Sequence, residues 1–397
     1  MRKVMFAIVL QGYAFLLAGM QALGGVRTDE AKYLLNIPYP HPPLARYLLS
    51  LTSSFPFQEA LWRIVFATLL VQAAWLVLRM ARGMSNEQRV AAMGAWLLSA
   101  AVLLQAGTIM MAPLTALQGF LLLVLLSDAR RAPQRWTAWH AFGAALLWLA
   151  SLFTSYLALL YIPIAALLFR MGKLPLWARV LFLLGPVVLV VLYTASDPLL
   201  AASWLRAGSK NAGLPLLTWA TSLFQTWSVG GSIILGLTGM GGLLLKKDWG
   251  VLLSMALVAA FIFISFRLYY AILFTPLFLY GTLTFFRKAW KRPLAILVPV
   301  TLITLLCALL FPPQLTPSPA RSVLTAIAAR GKDGMVLVAG PFGHEWQYEA
   351  AFTLRRYHQS LLEGAQAAVC LEACEDIERV PGWSRAADAP VEVWLKE

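Results

Sequence analysis

The chain has 397 residues, 60% of them apolar and 13% charged, with a formal net charge of +14. Soluble globular chains run about 45–50% apolar and about 25% charged, so a water-facing surface on this chain would lack half its usual charge. Disorder, a collagen helix and a disulfide scaffold are excluded on the same figures, and the long apolar runs make lipid the expected solvent.

A membrane-spanning helix needs about 20 mostly apolar residues. The apolar runs predict spans near 4–23, 60–78, 89–107, 114–127, 137–153, 156–169, 178–195, 225–245, 249–266, 269–286 and 293–311. The first follows Met1-Arg2-Lys3 as a signal peptide would, but its length and the ten runs after it favour a retained anchor. The residues between spans sort by charge. One set of alternate loops holds 17 Lys and Arg, the other holds 6. The positive-inside rule makes the first set cytoplasmic, which puts the N-terminus inside and the tail after Pro312 outside.

Residues 1–311 carry 24 basic against 7 acidic groups, and residues 312–397 carry 8 against 11. The chain is therefore read as a basic membrane domain, 1–311, followed by a small, mildly acidic domain, 312–397. Its basic groups sit in short clusters between apolar runs, not on one face, so nucleic acid is not an expected partner. In the tail, Met335–Gly340 reads as a strand and Glu345–Leu362 as a helix stopped by Gly364. Val391–Lys396 alternates like a second strand. The expected architecture is a polytopic α-helical membrane protein of about eleven spans with a C-terminal extracytoplasmic α/β domain.

Two outer segments are long enough to hold chemistry, 24–59 and 196–222. The first contains Thr28-Asp29-Glu30, Lys32, Tyr33 and the run Tyr39-Pro40-His41-Pro42-Pro43-Leu44-Ala45-Arg46-Tyr47. A carboxylate at the outer surface suits a general base acting on a hydroxyl or amine. Lys32, His41 and Arg46 suit a phosphate, and Pro38, Pro40, Pro42 and Pro43 favour a rigid, extended backbone. The structural alternative is that Asp29 merely caps a short helix starting at Glu30.

The order of a first span, an external Asp-Glu with an aromatic three residues on, then His41-Pro42-Pro43-Leu44, resembles the first external loop of the GT-C glycosyltransferases. It is most similar to the protein O-mannosyltransferase and lipid A aminoarabinose transferase branches. Met111-Ala112-Pro113-Leu114-Thr115, Leu152–Tyr156 and Phe266-Arg267-Leu268-Tyr269-Tyr270 resemble later family segments in order and spacing. The resemblance implies an inverting transfer of a sugar from a polyprenyl-phosphate donor to a lipid, glycan or protein acceptor on the extracytoplasmic side of the cell (inner) membrane. It implies that Asp29 is the catalytic base with Glu30 beside it. Arg267, Tyr269 and Tyr270 are implied to meet the donor's phosphate and membrane lipid and His41 to lie beside the donor site, and Lys32 and Arg46 join them as phosphate-binding candidates by charge. No cofactor is implied. A divalent ion held by Asp29 and Glu30 stays an open alternative without support in the sequence, and the four histidines and three cysteines form no zinc pattern.

Two positions depart from the family pattern. Met111 stands where an acid is usual and Ser155 where a Lys is common. These departures favour the alternative of a divergent, non-catalytic membrane scaffold. A flippase or transporter is a further alternative, although such proteins place ionisable groups at mid-membrane and these spans hold almost none. Arg63, near the start of the second span, is expected to snorkel to the interface. The glycines of Gly230–Gly242 are expected to serve close helix packing. Glu345, Trp346, Tyr348 and His344 suit either an acceptor site or the first turn of a helix. Cys370 and Cys374 suit either a disulfide or two buried thiols.

Overall fold

The computed structural model describes residues 2–37, 42–53, 55, 57–171, 174–198, 232–264, 268–289, 293–295, 298–299, 302, 306, 318–330, 334–340, 343–353, 357–358, 364–371, 377, 379–387 and 391–397. The chain divides into two compact units. One comprises Met1–Ala18, Tyr39–Ala45 and Ile64–Pro313; the other comprises Gly19–Pro38, Arg46–Arg63 and Gln314–Glu397. Most of the loop predicted at 24–59 thus belongs to the same unit as the tail.

The first unit is helical. Among the described residues, Lys3–Leu23, Gln58–Met80, Met111–Arg131 and Leu176–Ser196 are helices long and apolar enough to cross a bilayer. The segments 138–154, 156–170, 235–246 and 249–263 are shorter apolar helices. The predicted span 89–107 is broken. Asn86–Leu97 stops, and Ser99 caps Ala100–Gln105 by accepting a hydrogen bond from the Val102 N–H at 3.3 Å. The span predicted at 114–127 is longer than its apolar core suggests, because Met111–Arg131 carries Pro113 in its first turn and Arg130 and Arg131 in its last. Both placements suit a helix, since first-turn N–H groups have no partner to lose and cations favour the C-terminal end. The predicted spans 156–169 and 269–286 each open as a 3₁₀ turn, Tyr156–Tyr161 and Leu268–Phe274, before becoming α-helical. The span 293–311 and the segment 196–222 lie largely outside the described residues.

Small residues set the closest contacts. The helices Ser232–Lys246 and Thr275–Ala289 meet backbone to backbone, so that a Cβ on Gly239 would sit 2.6 Å from the Phe278 carbonyl oxygen. Cβ atoms on Gly242 or Gly281 would land on the facing carbonyls of Gly281 and Gly239. Gly236, Gly239, Gly241 and Gly242 therefore serve packing, as expected, while Gly230 and Gly231 lie outside the described residues. Arg130, in the last turn of Met111–Arg131, donates to both carboxylate oxygens of Asp248 and, at 2.6 Å, to the hydroxyl of Tyr280 on the Thr275–Ala289 helix, which also accepts from Lys246 at 2.6 Å. Burial pushes the Asp248 carboxyl up, but the hydrogen bond and charge of Arg130 outweigh it and hold the group below the usual carboxylate range.

In the second unit, residues of the tail form a five-stranded sheet. Strand β1 (Met335–Ala339) lies parallel to β2 (Tyr357–His358) and to β3 (Ala365–Cys370). Strand β5 (Glu392–Lys396) runs antiparallel to β3 and to β4 (Trp383–Ala387), giving the order β2-β1-β3-β5-β4. Val336, Val338, Ala367, Val369 and Val393 share one face with residues of two helices, Pro319–Ala329 and His344–Thr353. Leu337, Ala368, Cys370 and Trp394 cluster with Ile377. The helix predicted over 345–362 ends at Thr353, and Tyr357–His358 pair as a strand instead. The apolar spacing of 345–362 fits a helix, but the edge of β1 offers Tyr357 and His358 backbone partners. Cys370 is disulfide-bonded; Cys374 lies outside the described residues.

Candidate functional site

The first long helix stops at Gly24 and Gly25. The Gly25 N–H donates to the Ala22 carbonyl, and its φ of +71° is the left-handed conformation that glycine adopts without strain. A Cβ at Gly25 would also approach the Ser318 side chain to 3.0 Å, so space as well as backbone calls for glycine.

A seven-residue helix, Thr28–Leu34, follows. Arg27 is its N-cap, in extended conformation, and the Arg27 N–H donates to Glu30 Oε2 at 2.9 Å. Asp29 is therefore the second residue inside the helix and not its cap. Successive helical residues point about 100° apart, so adjacent carboxylates enter different surroundings. Glu30 is 2% exposed and meets Arg63 through two bonds, Nη1 to Oε1 at 3.0 Å and Nη2 to Oε2 at 3.1 Å. Asp29 stays 28% exposed, with the Lys32 ammonium 3.2 Å from Oδ1 one turn on.

Arg63 does not snorkel. It is 1% exposed, and besides Glu30 it donates to Glu59 Oε1 at 2.8 Å and to the Gly25 carbonyl at 2.8 Å. The acids folded against it offer better partners than distant water. The network continues into the tail. Arg321 donates to Glu59 Oε2 at 2.6 Å, to both oxygens of Glu349 at 2.9 and 3.1 Å, and to the Ala22 carbonyl at 3.2 Å. Glu349 also accepts from the Val26 backbone N–H. Glu345, in the first turn of its helix, accepts from the Thr28 hydroxyl at 2.8 Å.

Burial works against the Arg321 charge, but the hydrogen bond to Glu349 and the charges of Glu59 and Glu349 win, so its guanidinium is held above its ordinary value. Burial pushes the Glu349 carboxyl up by more than Arg321 pulls it down, with the Glu59 charge adding to the rise. Burial likewise raises the Tyr348 phenol, reinforced by the charges of Glu59 and Glu349.

The other expected residues fall as follows. Pro43 opens a helix, Pro43–Ser50, instead of extending the backbone, because proline's fixed φ suits a first helical position. On that helix Arg46 Nη1 lies 3.5 Å from the Ile37 carbonyl, and its buried Nε has no partner among the described residues. Tyr269 and Tyr270, in the first unit, stack edge to face at 4.6 Å, and the Tyr269 carbonyl accepts from Gln105 at 2.8 Å. His41 and Arg267 lie outside the described residues. Met111 is buried at the head of its helix, and the buried Ser155 hydroxyl accepts from the Leu157 N–H at 3.2 Å. Among the described residues no group of three or more His, Cys, Asp or Glu side chains is placed to hold a metal ion.

Sequence reasoning missed Arg63, Glu59, Arg321 and Glu349 as a group. The i,i+4 spacing of Glu59 with Arg63, and of Glu345 with Glu349, was the available signal. Nothing in linear order paired them across the chain.

No protein-family model matches the sequence, and no curated protein matches it. Among solved structures the chain is similar to the arabinofuranosyltransferase AftD from Mycobacteria, with a TM-score of 0.50 at 14% identity, over 98% of this chain and 41% of that one. It is also similar to the oligosaccharyltransferase AglB from Archaeoglobus fulgidus, solved with an inhibitory peptide and a dolichol-phosphate. That match has a TM-score of 0.46 at 12% identity and covers 93% of this chain and 69% of that one. The chain thus spans less than half the length of the AftD chain it matches. What it shares with AftD is the fold.

Proposed function

We propose that the chain is an inverting glycosyltransferase that uses a polyprenyl-phosphate sugar on the extracytoplasmic side of the membrane. Asp29 takes the proton from an acceptor hydroxyl or amine. The acceptor atom bonds to the anomeric carbon as the bond from that carbon to the phosphate oxygen breaks, and the polyprenyl phosphate leaves with the electron pair. Cations beside the departing phosphate stabilise its growing charge. Lys32, Arg46, His41 and Arg267 are assigned to that part, with Tyr269 and Tyr270 lining the lipid phosphate.

One observation carries this reading. Of the two adjacent acids, Glu30 is buried and held by Arg63, whereas Asp29 stays accessible on a helix fixed by that neighbour. A fixed, accessible carboxylate is what a general base requires. Glu30 then serves by holding the helix.

The test is transfer by the purified protein from a panel of polyprenyl-phosphate sugars, with wild type compared with Asp29→Asn. The expected fall is about 10²–10⁴-fold, the usual range for a general base. A folded Asp29→Asn that transfers at the wild-type rate removes Asp29 from the role. Absence of both transfer and donor hydrolysis across the panel favours the scaffold reading, to which the uncharged, buried Met111 and Ser155 already lend weight.

A further inference from the structure

The helix that carries Asp29 is tied to the tail at several points. Glu345 receives the Thr28 hydroxyl, one residue before Asp29, at 2.8 Å. Glu349 receives the Val26 N–H. Arg321 reaches the Ala22 carbonyl at 3.2 Å and Glu59 at 2.6 Å, and Glu59 in turn holds Arg63, which holds Glu30. Gly25 is seated so closely that an added Cβ would meet Ser318, Glu349 and Arg321 at 3.0, 3.5 and 3.7 Å. These partners flank Asp29 on both sides in sequence, and every one of the tail residues lies more than 280 positions away.

A seven-residue helix is too short to be stable on its own, since isolated helices of fewer than about 12–15 residues are marginal in water. Its orientation must come from outside itself. The groups that fix it are charged, and three of them, Glu30, Arg63 and Glu349, are buried, so those have few alternative arrangements. Arg321 reaches the network from a half-exposed position with four hydrogen bonds. We propose that Arg321 and Glu345 of the tail are positioning residues for sugar transfer, setting the angle at which Asp29 meets the acceptor. The inference rests on Asp29 being the base. The tail then contributes to rate without touching the reacting atoms, because a shift of about 1 Å in a reacting group costs about 10²-fold in rate.

The experiment uses the full chain in phospholipid vesicles. Initial rates are measured against donor concentration for wild type, Arg321→Met, Arg321→Lys and Thr28→Val. Hydrogen exchange at the Ala31 and Leu35 amides is followed in parallel. Arg321→Met is expected to lower kcat by about 10²-fold with an unchanged donor KM. Arg321→Lys should recover part of that loss, since a lysine can meet one carboxylate but not fork between two. Thr28→Val removes only the bond to Glu345 and should lower kcat by about tenfold. It carries the test if Arg321→Met does not fold. Exchange at Ala31 and Leu35 should quicken in each variant while that of β1 and β3 does not change.

Wild-type kcat in Arg321→Met and Thr28→Val overturns the inference and leaves the role of Asp29 standing. A rise in donor KM at constant kcat also overturns it. If wild type transfers no sugar from the panel, the functional reading fails, and exchange alone decides whether the tail fixes the helix. Unchanged exchange at Ala31 and Leu35 then overturns the inference as well.

Discussion

Replacing Arg63 with methionine removes its bonds to Glu30, Glu59 and the Gly25 carbonyl, in a place where Arg63 and Glu30 are 1% and 2% exposed. Glu30 keeps the Arg27 N–H at 2.9 Å but loses its opposite charge. Breaking a buried pair from one side costs about 3–5 kcal/mol, and the surviving bond puts this case near the lower end. The first element to feel the loss is the Thr28–Leu34 helix. Its Ala31 N–H donates to the Arg27 carbonyl at 2.8 Å and opens when that helix opens. Exchange at this amide should quicken by about 10²–10³-fold, because each 1.4 kcal/mol is a factor of ten. The double variant Arg63→Met with Glu30→Leu should recover most of the loss, as apolar replacement of a whole buried pair is close to neutral. Arg79→Met provides the contrast. Arg79 pairs with Asp128 at 2.6 Å but is 48% exposed, so its loss should cost less than about 1 kcal/mol. The reasoning is refuted if Arg63→Met changes Ala31 exchange by less than about threefold, or if the double variant is as damaged as the single.

The raised Glu349 carboxyl makes stability depend on pH with a definite sign. The folded chain binds its proton more tightly than the unfolded chain, so this group's contribution is full below the usual value of 4.5 and is lost as pH rises through the raised value. Unfolding of the tail followed by fluorescence over that window should show wild type weakening and Glu349→Gln staying level. Gly281→Ala places a methyl on the Gly239 carbonyl, where two backbones meet and no flexible side chain can move aside. The expected cost is about 3 kcal/mol, read as a lower unfolding midpoint in detergent. Gly185→Ala should be neutral or stabilising in the same assay, since its Cβ meets only Leu181 at an ordinary 3.6 Å. Cys370 should resist alkylation in denaturant until a reductant is added, as peptide mass mapping would detect.

The sequence by itself determined the solvent and the class. An apolar content of 60% with 13% charge leaves lipid as the consistent medium, and the length of apolar runs such as 178–195 sets which helices can cross it. It also singled out the first loop, because Asp29 and Glu30 are two of only seven acids in the first 311 residues. The glycines at 239 and 242 were legible too, since a run of small residues among apolar ones has few uses other than close packing.

The roles of the adjacent acids were not legible. Asp29 and Glu30 are alike in linear order and differ only once a helix turns them about 100° apart and Arg63 closes on one of them. Arg63 itself reads as an interfacial cation because its buried partner Glu30 lies 33 positions away, and the i,i+4 spacing to Glu59 alone does not bury it. Arg321 and Glu349 were invisible as a group for the same reason, and Tyr357–His358 became a strand because β1 supplied an edge that local spacing could not foresee. Composition and periodicity fix what each segment prefers against solvent. The partners of a charge, and with them its accessibility and its chemistry, are decided by residues far away in sequence, and only the tertiary fold brings those together.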